Sequence, residues 1–429
     1  MVRSLFGGRL WRHADFVKLW SGQSLSQFGS NVTQLALPTA AVLLLHAGPV
    51  QVGVLAALEF LAFPTLGLFA GVWADRLRRR PIMIVCDVAR MLALGSIPAA
   101  WLLGELTIDQ LYVVATVAGI ATVFFDVAYQ SYLPALVDRA DLVEGNSKLE
   151  VTRSLAQVAG PGLAGLLIQL FQAANAIMAD ALSYLISVLT LLWIRKAEPA
   201  PAPRRERPGF FREMGEGLQV VFGHRMIRLI AACTATSNLG SNMAFAVMIL
   251  WFYRQVHLNP GQVGLVFSIG SVGAVFGAIV AFPAAQWLGM GRTLLISTLV
   301  GSAGGLLFPV AGASAFAVPL LAAITLVSQA FGPIYNINQV SYRQAAIPVH
   351  LQGRLNATVR TFIWGTIPIG SAVGGLLGAK IGLVPTIYLG FAVSSLSAVW
   401  IVMGPVRIKG QPEPEPEPGP EPGPGLEPS

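Results

Sequence analysis

Three carboxylates stand in stretches of chain that are otherwise apolar: Glu59 within 50–74, Asp126 within 109–133 and Asp180 within 174–195. Groups of this type in this setting suit one kind of chemistry. Removal from water disfavours the charged form of a carboxyl, so a buried one can take up and release a proton near neutrality, as proton exchange requires. Glu59, close to the middle of its stretch, fits that role best. Asp126 lies nearer one end of its stretch, where a structural hydrogen bond is the competing role, and Asp180 lies near the opposite end, where hydration alone would satisfy it. No Asp or Glu occurs between Glu216 and Glu413, so proton-carrying carboxylates are expected only in the first half.

Other reactive groups do not converge. The histidines, His13, His46, His224, His257 and His350, are scattered at the ends of apolar stretches, with no paired carboxylates or nucleophile motif beside them. Enzymatic catalysis needs such convergence, so none is expected. Cys86 and Cys233 lie inside apolar stretches without metal-ligand spacing, and read as small core residues; neither a metal nor a cofactor is expected.

The elements that must position these groups follow from composition. The chain is 54% hydrophobic and 11% charged, with a mean hydropathy of +0.65. A soluble chain carries roughly 25% charged residues to cover its cores. A bilayer core about 30 Å thick is crossed by a helix of about 20 apolar residues, and only helices or closed barrels satisfy their backbone there. That rule predicts twelve helices, at 16–45, 50–74, 81–104, 109–133, 148–171, 174–195, 226–254, 260–287, 292–312, 316–340, 354–380 and 383–405. With the amino terminus inside, nearly every Lys and Arg falls on one side; Arg254 and Lys380 are the exceptions. Positive loops stay cytoplasmic, so both termini are expected in the cytoplasm and the chain in the cell membrane. The net charge of +7 is spread over these short loops rather than gathered on one face, which argues against a nucleic-acid partner. No short signal-type core precedes the first stretch, which is expected to remain in the mature protein.

The twelve helices divide in two. Residues 196–225 begin with a segment rich in Pro, Arg and Glu, a cytoplasmic linker between bundles at 16–195 and 226–406, with 1–15 as a cytoplasmic N-terminus. Gly29-Ser30-Asn31 recurs as Gly240-Ser241-Asn242, and Gly53 as Gly264, at one offset. An offset shorter by one residue aligns Gly160 and Gly165 with Gly370 and Gly375. The expected fold is an all-α membrane protein of two pseudo-symmetric six-helix bundles. The Pro, Glu and Gly tail at 407–429 has no apolar face and is expected to be disordered.

Between the second and third helices runs Gly71-Val72-Trp73-Ala74-Asp75-Arg76-Leu77-Arg78-Arg79-Arg80-Pro81. It resembles the signature of the major facilitator superfamily: Gly, three residues, Asp-Arg, two residues and paired basic residues. The resemblance implies a cytoplasmic gate latch made by Gly71, Asp75, Arg76, Arg79 and Arg80, with Asp87 and Arg90 placed to join it. Arg78 stands where many members have Gly, and Gln286 occupies the repeat-equivalent place, so the latch is one-sided. Gly160, Pro161 and Gly165 resemble the Gly-Pro signature of proton-coupled exporters, with Ala164 in place of a Gly. Helix packing with a proline kink is the alternative. Phe124-Phe125-Asp126 and Asp180-Ala181-Leu182-Ser183-Tyr184 look like the macrolide and siderophore exporter branch. The usual arginine of drug-proton antiporters is absent from the fourth helix.

On the helices that line the cavity in that family stand Gln27, Asn31, Gln34, Phe125, Tyr129, Asn238, Asn242, Phe245, Tyr335, Asn336 and Asn338. A mostly apolar pocket with a few amides suits an amphipathic organic ligand. The resemblance implies a monomeric secondary transporter, working by alternating access and exporting hydrophobic or amphipathic compounds against protons. Uptake or facilitated diffusion of a small metabolite, and lipid scrambling or flipping, are the alternatives.

Overall fold

The computed structural model describes residues 8–198, 219, 222–347 and 349–404, and for residues 68, 71–72, 74–76, 349–351, 353–358, 360 and 362 the backbone alone. The expected tail lies outside the described residues, as does most of the linker. The first six long helices are α1 (Ala14–Leu43), α2 (Pro49–Arg76), α3 (Arg79–Leu103), α4 (Ile108–Leu136), α5 (Leu142–Phe171) and α6 (Ala173–Trp193). The rest are α7 (Arg225–Arg254), α8 (Pro260–Leu288), α9 (Met290–Gly312, tightened to a 3-10 turn at Gly304–Leu307), α10 (Ala317–Ala346), α11 (Val349–Lys380) and α12 (Leu383–Val402). Among the described residues, nine are long and apolar enough to cross a membrane; α1, α7 and α11 are not among them. These three are still long enough, and in two of them the lower apolarity has a cause: α1 and α7 turn Gln, Asn, Ser and Thr toward internal cavities.

Helix ends are set by local chemistry repeated in both halves. Pro49 and Pro260 each occupy a first helical position, where their missing N–H costs nothing. The backbone N–H before each helix is taken by a glutamine three residues on, Gly48 by Gln51 Oε1 at 2.7 Å and Asn259 by Gln262 Oε1 at 2.9 Å. Several helices outrun the apolar stretches that predict them. Helix α5 starts at Leu142 rather than 148, α10 ends at Ala346 rather than 340, and α11 starts at Val349 rather than 354. Apolar residues mark only the hydrocarbon depth, whereas the backbone stays helical into the polar layer, where pairs such as Glu144–Lys148, 3.4 Å apart, support it.

Packing repeats as well. Helix α1 lies against α5 and α6, α2 against α4, and α3 against α4 and α6; α7, α8 and α9 make the equivalent contacts with α10, α11 and α12. Even the left-handed backbone positions correspond. His46 and His257 have positive φ and share the offset of Gly53 and Gly264, while Gln172 and Gly382 share that of Gly165 and Gly375.

The halves meet chiefly through α2 on α11 and α5 on α8. Both contacts are backbone-close at glycine. A Cβ on Gly53 would lie 2.6 Å from Gly375 Cα, and one on Gly264 would lie 2.8 Å from Gly165 Cα. These seams lie toward the end of the molecule that carries the α1–α2 loop. There the Arg254 guanidinium donates to the carbonyls of His46 (3.0 Å) and Ala47 (2.9 Å), and the Tyr253 hydroxyl meets that of Thr39 at 3.1 Å. One buried apolar cluster there spans both halves, from Val32 and Ala40 to Val247 and Phe252. At the opposite end, which carries the α2–α3 loop, the cores are separate: one around Phe16, Met83 and Tyr132, another around Ile230, Leu294 and Tyr342. Among the described residues, the molecule is joined at one end and divided at the other.

Candidate functional site

Each half contains a cavity, about 640 Å³ in the first and 730 Å³ in the second. They adjoin where Phe63, lining the first, packs on Trp364, lining the second, with ring centroids 4.6 Å apart. Helix α1 supplies Gln27, Asn31 and Gln34 to the first cavity, α2 supplies Glu59, α4 supplies Phe125, Asp126 and Tyr129, and α6 supplies Asp180. All eight expected residues of this half therefore line one space, and Phe125 stacks on Tyr129 at 6.0 Å.

Glu59 has no hydrogen-bond or ion-pair partner among the described residues, and its helix is pressed to α4 at Gly119, where a Cβ would lie 2.6 Å from the Glu59 carbonyl oxygen. That close approach fixes α2 against α4, with Glu59 on the wall of the first cavity. Asp180 departs from expectation. It is 1% exposed, packed against Gly29 of α1, and accepts a 3.1 Å hydrogen bond from Ser183. Its helix is bound closely to α1, so it is a packed and hydrogen-bonded group rather than a freely hydrated one.

Asp87 and Arg90 require a larger correction. They were expected in the latch at the start of the third helix. Instead they lie about 12 and 17 Å along α3 at 1.5 Å per residue, buried and ion-paired to each other. The Arg90 guanidinium lies over the rings of Phe125 (4.3 Å) and Tyr184 (4.2 Å), and the Tyr184 hydroxyl contacts Ser30 at 2.9 Å. Asp126 and Asp180 both stand within its electrostatic reach. The arginine missing from the fourth helix thus has a counterpart delivered from the third. An Asp and Arg three residues apart deep in an apolar stretch carried that signal, since buried charges must pair.

Of the latch, the side chains of Gly71, Asp75 and Arg76 lie outside the described residues. Arg79 and Arg80 act within the first half. Their backbone N–H groups donate to Glu198 at 2.7 and 3.1 Å, capping α3, while the Arg80 side chain donates to the Leu191 and Leu192 carbonyls at the end of α6, each at 2.8 Å. Sequence reasoning missed Glu198, which looked like part of the linker.

In the second cavity Asn238, Phe245, Tyr335 and Asn336 line the wall, and Asn336 occupies the place that Asp126 has in the first. Asn242 and Asn338 do not. Asn338 lies about 200° round the helix from Asn336, is 4% exposed, and donates to the Ala281 carbonyl of α8 at 3.0 Å. Asn242 donates to its own helix at Asn238, 2.8 Å, and faces Gly370 of α11. Arg343, near the end of α10, is buried on the cavity wall. Gly160 and Gly165 are contact positions, against Asn31 and Gly264. Among the described residues no group of His, Cys, Asp and Glu could hold a metal.

The geometry invites comparison with known proteins. The family model described as Major Facilitator Superfamily matches residues 19–238 and 230–427. Curated relatives include the multidrug efflux pump Tap of Mycolicibacterium fortuitum, 25% identical over 83% of this chain and 87% of that one. Macrolide efflux protein A of Streptococcus pyogenes is 23% identical over 86% and 90%. The enterobactin exporter EntS of Citrobacter koseri is 24% identical over 94% and 95%. Among solved structures, a bacterial homologue of the iron transporter ferroportin in an inward-facing state aligns with a TM-score of 0.73 at 17% identity, covering 92% of this chain and 99% of that one.

Proposed function

The chain belongs to the Major Facilitator Superfamily, a multi-pass membrane transporter rather than an enzyme, and on that premise we propose that it exports amphipathic small molecules across the cell membrane in exchange for protons. The α2–α3 loop end, with both termini, faces the cytoplasm in this reading, because the basic loops gather there. Substrate enters between the halves from that open end, and rocking about the glycine seams of α2–α11 and α5–α8 then exposes it on the other side. The Gly71, Asp75 and Arg76 segment, with Arg79 and Arg80, steadies the cytoplasmic end. The working unit is the monomer, and nucleic acid is not a partner.

One observation carries the proton reading. Glu59 lines the first cavity without a described partner, whereas Asp87 has Arg90 and Asp180 has Ser183. A carboxyl without a partner among the described residues is suited to bind a proton in one state and lose it in the other. The efflux names of the relatives support export over uptake.

Accumulation of a macrolide and of a hydrophobic dye in a pump-deficient host tests the reading. Cells making the protein are expected to hold less of at least one compound, and an uncoupler should abolish the difference. Higher accumulation in those cells, or a difference that survives the uncoupler, would refute proton-driven export.

A further inference from the structure

We propose that the cavity of the second half contains a subsite for an organic anion, centred on Arg343. The proposal rests on the transporter reading above and gives that site a substrate class. Arg343 is only 7% exposed, yet it lines the cavity one turn beyond Gln339, which is 3% exposed. Arg343 Nε and Gln339 Oε1 both lack a hydrogen-bond partner among the described residues, although Gln339 Nε2 is held by Asn336 Oδ1 at 2.9 Å. Buried polar atoms of this kind are costly to leave unmade, and a buried guanidinium more so.

No acid of the same half can neutralise it, because none occurs between Glu216 and Glu413. The first half solves the same problem internally: Arg90 has Asp87 beside it and two aromatic rings on its faces. Arg343 therefore presents an open charge to whatever occupies the cavity. The planar guanidinium is suited to a carboxylate or another planar oxyanion. Gln339 Oε1 would take a hydroxyl or N–H donor on the same ligand, and Trp364, Phe331 and Phe391 provide a surface for its apolar body. Glu59 and Asp126 line the adjoining cavity of the first half, an acidic side that favours placing the ligand's charged end toward α10.

The competing role for Arg343 is a gate contact, in which it pairs with a carboxylate of the first half, such as Glu150, when the open end closes. Binding to the purified full chain separates the two. The probes are 1-naphthaleneacetate and its neutral isostere 1-naphthaleneacetamide, measured by titration calorimetry. The acetate is expected to bind roughly tenfold or more tighter than the amide, the range for a hydrogen bond to a charged group. Arg343→Gln should bring that ratio to about one. Arg343→Lys, which keeps the charge and loses the fork, should leave an intermediate ratio. If Arg343→Gln does not fold, the lysine variant decides, and it is expected to lower the ratio. A ratio near one in the unaltered protein, a ratio that survives Arg343→Gln, or an equal loss of affinity for both probes would overturn the proposal. Accumulation that ignores the uncoupler would instead strike the export reading and leave the binding ratio untouched.

Discussion

The two halves share a fold and differ in how they handle charge. Around its cavity the first half holds Asp87, Arg90, Asp126, Asp180 and Glu59; an ion pair joins Asp87 to Arg90, aromatic rings cover the arginine and Ser183 donates to Asp180. The second half has Asn336 where the first has Asp126, hydroxyls and amides along α7, and Arg343 as a cation without a described counterion. A duplicated scaffold can therefore diverge in chemistry: one wall is rich in titratable groups and the other polar but nearly uncharged, and under the export proposal the first would serve protons and the second ligand. The backbone contacts that hinge the halves stay symmetric while the chemistry does not.

The sharpest way to break this contrast is to remove the ion pair from one half and look for an equivalent cost in the other. Arg90→Leu leaves the Asp87 carboxylate buried without its partner. Breaking a buried pair from one side costs about 3–5 kcal/mol, a large share of the roughly 5–15 kcal/mol that holds a typical protein together. Thermal unfolding in detergent is expected to show a much lower midpoint, or no folded protein at all. Arg343→Gln, which relieves an unpaired charge, should leave the midpoint unchanged or raise it. Equal destabilisation by both would show that the halves do not differ in this way.

Next in size is the loss of coupled transport in Glu59→Gln with the protein still expressed and folded. The amide keeps the shape and cannot carry a proton. The repeat-equivalent position in the second half carries no acid, so nothing there can replace it. Transport that continues to follow an imposed proton gradient in this variant would remove Glu59 from the mechanism.

Much of this contrast was legible in one dimension. Twelve apolar stretches, their duplication and the absence of acids from the second half are counts along a chain, and the cavity positions on α1, α2 and α4 followed from polar residues in apolar surroundings. What failed was rotation and depth. Asp87 and Arg90 were assigned to the latch because they follow it in sequence, although eleven residues from Arg79 to Arg90 carry the guanidinium about 17 Å into the bundle. Asn338 and Asn242 have the right residue type, yet they bond to backbone on their own or a neighbouring helix. Nothing in the sequence around Arg343 announces its burial, and Glu198 is hidden by its linker-like neighbours. Helical phase relative to a partner is a property of packing, and a single sequence does not display it.

The glycine seams test the symmetric part of the comparison. Gly53→Leu and Gly264→Leu place side chains where Gly375 and Gly165 stand, and overpacking of this kind costs about 1–3 kcal/mol. Because the two seams are equivalent, both variants should lower the unfolding midpoint by similar amounts and slow transport of any substrate. A loss confined to one seam would mean that only one contact bears the motion.

The smallest effect comes from a feature of the seam that is not duplicated. Thr39 is fully buried and donates to the Leu35 carbonyl at 2.7 Å, so the hydrogen bond with Tyr253 at 3.1 Å must have the tyrosine as donor. Tyr253→Phe removes that donor and leaves the threonine otherwise satisfied, at a cost of about 0.5–1.5 kcal/mol. The bond joins the halves at the end that is closed here, and opening that end would break it. The substitution should therefore shift the balance toward the opposite state by roughly 2- to 13-fold. Spin labels on Leu43→Cys and Gln255→Cys would record the shift as a larger population of long distances. If Thr39→Val and Tyr253→Phe together shift no more than either alone, the effect belongs to this one bond; additive shifts would assign it to general loosening of the seam.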